Sequence, residues 1–80
     1  MSSQTLPQVG ALYEHTRTKK RYRILGVGYN SETLEEVVIY QSQYDDPKFG
    51  VQPIWVRPKE MFMEQVEIEG ERQPRFRQIG

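Results

Sequence analysis

Apolar and polar residues alternate in several short stretches of this 80-residue chain, and turn-forming residues separate the stretches. The side chains of a β-strand point to opposite faces in turn, so alternation with a period of two is typical of a strand with one buried face. The pattern predicts strands over residues 11–15, 21–29, 36–44, 54–57, 64–69 and 74–79. We therefore expect an all-β protein of five or six short strands.

The stretch around the only tryptophan, Trp55, ends a strand and begins a turn. Pro58 has no N–H group to give to a sheet, so the strand is expected to stop there. Residues 59–63 are too few for an ordinary α-helix and predict a single helical or 3₁₀ turn. This turn is expected to place Met61 and Phe62 in the core.

The alternation changes sides within the predicted strand 21–29. Tyr22 and Ile24 share one face, but Val27 continues the pattern on the opposite face, with Gly26 at the change. A glycine at such a position commonly marks a β-bulge or a sharp bend. We predict a bend near Gly26.

Short strands, tight turns and one helical turn before the last strands favour an SH3-like barrel, with a five-stranded oligonucleotide-binding barrel as the alternative. Residues 1–9 are polar and lack any period, so they are expected to form a flexible tail, and residues 10–80 a single domain. The predicted core consists of Leu12, Tyr22, Ile24, Val27, Val38, Tyr40, Trp55, Met61, Phe62, Val66 and Phe76.

The composition argues against several kinds of chemistry. The absence of cysteine leaves no disulfide and no thiolate, and a single histidine argues against a metal site, so we expect no metal and no cofactor. A domain of this size buries a limited core, which argues against a deep catalytic cleft. There is no signal sequence and no run of about 20 apolar residues, so we expect a cytoplasmic monomer that does not enter a membrane.

The charges balance overall but are unevenly placed. The chain has 11 acidic and 11 basic residues, and five of the bases crowd one predicted hairpin turn: Arg17, Lys19, Lys20, Arg21 and Arg23. In a nucleic-acid-binding protein such a turn contacts phosphates while nearby tyrosine rings stack on bases. The alternative is that these bases pair with the acids of the same fold.

Several blocks of sequence, in a fixed order, carry a resemblance to a known family: Gly10-x-x-Tyr13-x-His15, Tyr22, Ser31-Glu32-Thr33-x-Glu35, Val38-x-Tyr40-Gln41, Trp55-Val56-Arg57-Pro58-x-x-Met61-Phe62-x-Glu64-x-Val66 and Arg75-Phe76. They resemble the bacterial domain-of-unknown-function family 1653, over nearly the whole chain from Gly10. The resemblance implies a small SH3-like barrel and no established activity.

Polar and aromatic residues within these blocks form the candidate ligand site: His15, Ser31, Glu32, Glu35, Tyr40, Trp55, Arg57 and Arg75. On one rim of a barrel, an arginine held between carboxylates could bind a phosphate or carboxylate through its planar fork of N–H groups. The alternative is a structural ion-pair network that holds residues 31–35 against the tryptophan corner.

We therefore expect a non-catalytic interaction or accessory module that binds a protein, a peptide or a small anionic ligand. A peptide is expected to lie in an aromatic groove lined by Tyr13, Tyr40, Tyr44 and Trp55. Two alternatives stay open: nucleic-acid binding through the basic residues 17–23, and a small enzyme that uses His15 with Glu32 or Glu35.

Overall fold

The computed structural model of the chain describes residues 7–80. These residues form seven strands and one helical turn: β1 Leu12–His15, β2 Arg21–Tyr29, β3 Glu36–Ser42, β4 Ile54–Pro58, α1 Lys59–Phe62, β5 Gln65–Ile68, β6 Glu71–Pro74 and β7 Phe76–Gln78. The predicted all-β class and the predicted helical turn after the tryptophan strand are confirmed. Most of the predicted tail, residues 1–6, lies outside the described part of the chain.

Five of the strands form one antiparallel sheet in the order β4-β3-β2-β1-β7, and β5 and β6 form a separate two-stranded ribbon. Strands β4 and β7 are the two edges of the sheet. Backbone hydrogen bonds among residues 7–80 therefore do not close the sheet into a barrel. The SH3-like form of the fold stays a prediction.

The predicted number of strands, five or six, is wrong because β6 was not predicted. Its sequence, Glu71-Arg72-Gln73-Pro74, contains no apolar residue that could alternate with polar ones. Three of its four residues are exposed, so this strand has no buried face to shape its sequence. The predicted strand 36–44 also ends earlier than expected, at Ser42, and 74–79 is shortened to β7.

A β-bulge bends the second strand where the alternation of the sequence changes sides. Ile24 pairs with Tyr40, but Gly26 already pairs with Ile39, so Leu25 has no partner of its own. An extra residue of this kind kinks the strand and increases its twist. The predicted bend near Gly26 is confirmed.

The core is mainly aromatic. Phe62 of α1 and Phe76 of β7 stack face to face, with ring centroids 4.3 Å apart and an angle of 5° between the planes. Tyr13, Tyr22 and Tyr40 pack edge-on against one or both of these rings. The remaining buried members of the cluster are Ala11, Ile24 and Val38, and three further side chains are partly buried against it: Tyr44, Trp55 and Met63.

The predicted core is confirmed for Tyr22, Ile24, Val38, Tyr40, Phe62 and Phe76. Trp55 is only partly buried against the cluster, and four predicted members belong neither to the cluster nor to the side chains packed on it: Leu12, Val27, Met61 and Val66. In β1 the inward residue is Tyr13, which pairs with the buried Tyr22, so the neighbouring Leu12 lies on the other face. A single helical turn presents one side to the core, and of its two apolar residues Phe62 occupies that side.

The ribbon and the residue that follows it are attached to the end of β1 by hydrogen bonds from Thr16. The N–H group of Thr16 donates to the carbonyl oxygen of Arg75 at 2.9 Å, and its hydroxyl donates to the carbonyl oxygen of Pro74. The N–H group of Arg75 donates in turn to the carbonyl oxygen of Glu64 at 2.9 Å. These bonds fix the start of β7, and with it Phe76, beside β1.

The adjacent residues Phe62 and Met61 provide a test of this core. The side chain of Phe62 is 1% exposed and that of Met61 is 48% exposed. We expect Phe62→Ala to lower the free energy of unfolding by about 3–5 kcal/mol, because it leaves a cavity beside Phe76. Met61→Ala should change it by about 0.5 kcal/mol. Urea unfolding followed by the fluorescence of Trp55 measures both values, and equal losses in the two variants would contradict the proposed packing.

Candidate functional site

A cavity of about 270 Å³ opens beside the aromatic core and draws side chains from both edge strands of the sheet. Its lining residues are His15, Thr18, Lys20, Tyr22, Tyr40, Tyr44, Trp55, Arg57 and Phe76. Six of these nine carry aromatic rings and two are cations. Among the described residues that line it, none is acidic.

Hydrogen bonding fixes the indole wall of the cavity. The Nε1–H group of Trp55 donates to the hydroxyl oxygen of Ser42 at 2.8 Å, and Ser42 is completely buried at the end of β3. Phe49 packs edge-on against the indole, with ring centroids 5.1 Å apart. The indole is therefore held in one orientation before any ligand arrives.

Arg57 lies over the cavity in a fixed position. Its Nε–H group donates to the hydroxyl oxygen of Tyr40 at 3.1 Å, and its guanidinium carbon lies 5.7 Å from the ring centroid of Phe76. Arg57 forms no salt bridge within residues 7–80. Only one of its five N–H donors is used in this contact, so the other N–H groups of the guanidinium fork are available to a ligand.

Two tyrosines and a lysine form the opposite side. The hydroxyl oxygens of Tyr22 and Tyr44 are 2.8 Å apart, and the Nζ atom of Lys20 lies 4.7 Å from the ring centroid of Tyr44. Burial, together with the hydrogen bond to Tyr44, raises the pKa of Tyr22 far above its usual value of 10. Tyr22 is therefore neutral at pH 7 and adds no negative charge to the cavity.

His15 has a fixed ring and a defined protonation state. Its Nδ1 atom accepts the backbone N–H groups of Arg17 and Thr18, both at 3.2 Å, so the neutral ring carries its proton on Nε2. Burial, followed by the positive charges of Arg75, Arg57 and Arg17, lowers the pKa of His15 below its usual value of 6.5. The ring is neutral at pH 7 and offers one N–H donor.

Arg75 lies close to His15 but does not line the cavity. Its Nη2 group donates to the Oε1 atom of Glu64 at 2.7 Å, so its charge is paired. Its buried Nε–H group has no hydrogen-bond partner among the described residues. Arg75 therefore lies outside the cavity lining, and its positive charge acts on His15 electrostatically.

The predicted turn residues of the ligand site do not line the cavity. Ser31, Glu32 and Glu35 lie in the turn between β2 and β3, where the Oδ1 atom of Asn30 accepts the N–H group of Glu32 at 2.8 Å. This turn follows the far end of β2, seven residues beyond Tyr22, which is roughly 23 Å along an extended strand. Arg57 lies opposite Val38 in the pairing of β3 with β4, three residues after Glu35, so a site shared by these turn residues and the two arginines stays a prediction.

The basic residues of the predicted hairpin lie in different environments. Lys20 lines the cavity, whereas Lys19, Arg21 and Arg23 line a neighbouring groove on the surface. Arg17 donates from Nη2 to the carbonyl oxygen of Glu67 in the ribbon, at 3.3 Å. Lys20 also lines this groove, so four of the five residues share one surface and Arg17 lies apart from it.

The family model described as "Protein of unknown function (DUF1653)" matches residues 11–78 of the chain. The chain belongs to the DUF1653 family. The match confirms the resemblance seen in the sequence, and it includes all seven strands and every residue that lines the cavity. Its description names no activity. No curated protein and no solved structure was found to match the chain.

Within this DUF1653 domain the structure brings together four of the eight predicted ligand-site residues: His15, Tyr40, Trp55 and Arg57. Thr18 and Phe76 belong to none of the predicted sites, and Tyr44 belongs only to the predicted peptide groove. The signal that was missing is strand pairing: Tyr22 lies opposite Ser42, and Tyr40 lies opposite Trp55. No local pattern reports such pairs.

The described part of the DUF1653 domain has no group of metal ligands and no helix long and apolar enough to span a membrane. No three side chains of His, Cys, Asp or Glu in residues 7–80 are grouped so that they could bind a metal ion. The helical structure of those residues is a single turn, and a helix that crosses a membrane needs far more apolar residues than that.

The single histidine of the chain allows a direct test of the cavity electrostatics. We expect the ring protons of His15 to titrate by NMR with a midpoint below 6.5, because burial and the nearby arginines oppose protonation. Since the unfolded state binds the proton more readily, this group favours folding fully above pH 6.5 and less as the pH falls through the folded midpoint. In denatured protein the midpoint should return to about 6.5. A folded midpoint above that of the denatured protein would contradict the arrangement.

Proposed function

We propose that this DUF1653 domain is a non-catalytic binding module whose cavity accepts a flat ring bearing an anionic group, on a small molecule or on a partner protein. The observation that carries the proposal is the lining of the cavity, in which aromatic walls stand beside Lys20 and Arg57 and no acid is present among the described lining residues.

The charge of the cavity supports an anionic ligand. Three nearby cations are paired with carboxylates: Arg75 with Glu64, Arg77 with Glu14, and Lys59 with Glu36. Lys20 and Arg57, by contrast, make no salt bridge within residues 7–80, although both are close to buried aromatic surface. A phosphate or carboxylate supplies the missing partner, and an arginine fork binds either group in a bidentate manner.

The shape of the cavity supports a single flat group. Ligand pockets for drug-sized molecules measure roughly 300–1,000 Å³, so a volume of about 270 Å³ suits one ring with a small substituent. Tyr44 and Trp55 are partly buried against the core, and each presents a ring to the cavity. Aromatic rings pack well edge-on or offset against such walls.

The same geometry favours binding over catalysis. His15 is the one candidate base in the lining, and both N–H donors to its Nδ1 atom come from its own turn. The glutamates proposed as its partners, Glu32 and Glu35, lie at the far end of the β2–β3 hairpin. General acid–base catalysis requires groups within hydrogen-bond reach of the same substrate.

We also propose the domain bounds, the fold type and the cellular location of the module. Residues 10–80 act as one folding unit, and the curvature of the five-stranded sheet, with its bulge, supports an SH3-like arrangement. We further propose that the protein is bacterial and acts as a monomer in the cytoplasm. A partner protein takes part by presenting a ring with an anionic group to the cavity.

Trp55, as the only tryptophan, reports on binding directly. We expect titration with phenyl phosphate to change the fluorescence of Trp55, and Lys20→Gln and Arg57→Gln each to weaken binding roughly tenfold or more, since a hydrogen bond to a charged group contributes about 1.5–3 kcal/mol. Arg57 also packs against Phe76, so Lys20→Gln serves as the variant that leaves the core intact.

The matched control for this titration is Arg72→Gln, which removes an exposed cation from β6, outside the cavity. The Arg72→Gln variant should bind phenyl phosphate as tightly as the unchanged protein does. Benzyl alcohol has the ring without the charge, and neither protein should bind it. An equal response to phenyl phosphate and benzyl alcohol, or full binding by both cavity variants, would refute the anion site.

A further inference from the structure

A second depression borders the cavity and is strongly basic. It has a volume of about 620 Å³, and four of its eight lining residues are cations: Lys19, Lys20, Arg21 and Arg23. Lys20 and Tyr44 line both the cavity and this groove. The two depressions therefore adjoin at Lys20 and Tyr44, where the Nζ atom of the lysine lies 4.7 Å from the ring centroid of the tyrosine.

The cations of the groove are only partly engaged with the protein. Arg21 lies 3.7 Å from a carboxylate oxygen of Glu14 but is 60% exposed, and Arg23 donates from Nη1 to the carbonyl oxygen of Gly10 at 2.9 Å. Lys19 makes no salt bridge within residues 7–80. Asp45 is the one acid that lines the groove. Most of the positive charge thus faces solvent.

The turn that carries these cations is rigid, and Lys19 has an unusual backbone. Its φ angle is 66°, a left-handed conformation that costs a residue with a side chain roughly 1–2 kcal/mol. Two backbone bonds hold the turn: the N–H group of Lys19 donates to the carbonyl oxygen of His15 at 2.7 Å, and that of His15 to the carbonyl oxygen of Lys20 at 2.8 Å. Lys19 is therefore displayed at a fixed place on the rim of the groove.

Resting on the proposed function, we propose that the ligand is single-stranded nucleic acid, with one base in the aromatic cavity and the adjoining phosphates along the groove of Lys19, Lys20 and Arg23. A single strand carries a flat ring and an anion in every unit, so one molecule satisfies both halves of this surface. Stacking of a base on aromatic side chains contributes about 1–3 kcal/mol per base and needs no particular sequence.

A duplex does not fit the same surface. Its bases are stacked inside the helix, and a base reaches a protein pocket only after it is unpaired and turned out of the stack. The cavity, with a volume of about 270 Å³, has room for one base and not for a base pair in its stack. Preference for a single strand over a duplex is therefore a specific consequence of the proposal.

Fluorescence anisotropy with a labelled oligouridylate of about six nucleotides tests the proposal, with the fluorescence of Trp55 as the second signal. Four phosphate contacts, from Lys19, Lys20, Arg23 and Arg57, predict a salt slope of about −2.8, so raising salt from about 50 to about 200 mM weakens binding roughly 50-fold. The double variant Lys19→Gln, Arg23→Gln should reduce the slope to about −1.4, while Arg72→Gln leaves it unchanged.

Binding of phenyl phosphate or uridine monophosphate by the same double variant separates the two proposals. Lys19 and Arg23 line the groove and not the cavity, so the double variant should still bind these small ligands but should bind the oligonucleotide more weakly. If the oligonucleotide binds no more tightly than uridine monophosphate, or a duplex binds equally well, the nucleic-acid inference is wrong and the cavity proposal stands. If phenyl phosphate also fails to bind, both are wrong.

A peptide of glutamates that ends in tyrosine provides the competing ligand class. It combines negative charges with a flat ring, as the oligonucleotide does. The proposal would be overturned if the protein bound this peptide but no oligonucleotide, and if the double variant Lys19→Gln, Arg23→Gln weakened peptide binding while Arg72→Gln did not. The surface would then be a site for an acidic protein segment. Binding of the oligonucleotide together with a change in Trp55 fluorescence supports it.

Discussion

The stacked pair of Phe62 and Phe76 connects the two ends of the sheet. Strands β4 and β7 are edges with no hydrogen bonds between them, yet α1 follows β4 directly and delivers Phe62 onto the ring of β7. Arg57 of β4 lies over the same Phe76 ring. Each aromatic pair contributes about 0.5–1.5 kcal/mol beyond the burial of its area. Ring contacts thus hold the curved sheet together where backbone pairing ends, in a domain small enough that a few such contacts matter.

The cavity is a consequence of this way of joining the edges. Because side chains rather than a strand ladder connect β4 to β7, space is left between Trp55 and Arg57 on one side and His15 on the other. Tyr40 and Phe76 belong both to the core and to the cavity wall. A change at either of these rings alters stability and binding together. Substitutions at the rim are expected to change binding without changing stability. This applies above all to Lys20, which packs on the ring of Tyr44 but is not part of the core.

The sequence predicts features of this domain that depend on neighbours along the chain. Alternation located β1, β2, β4 and β5 to within one residue, and the change of sides at Gly26 located the bulge, because one buried face shapes each of these segments. The cavity depends instead on which strands lie side by side. Glu32 and Glu35 are adjacent in sequence to conspicuous motif residues but are carried away by a long hairpin, whereas Tyr22 and Trp55 are far apart in sequence and are joined through β3.

A net charge of zero is compatible with an anion site because no acid is among the described residues that line the cavity, and several acids form salt bridges with arginines outside it. Glu14 contacts Arg21 and Arg77, and Glu64 contacts Arg75. Exposed pairs of this kind add only about 0–1 kcal/mol each to stability, but each one cancels a positive charge at its own place. An anion in the cavity therefore meets two cations, Lys20 and Arg57, and no acid among the described lining residues, although the net charge of the chain is zero.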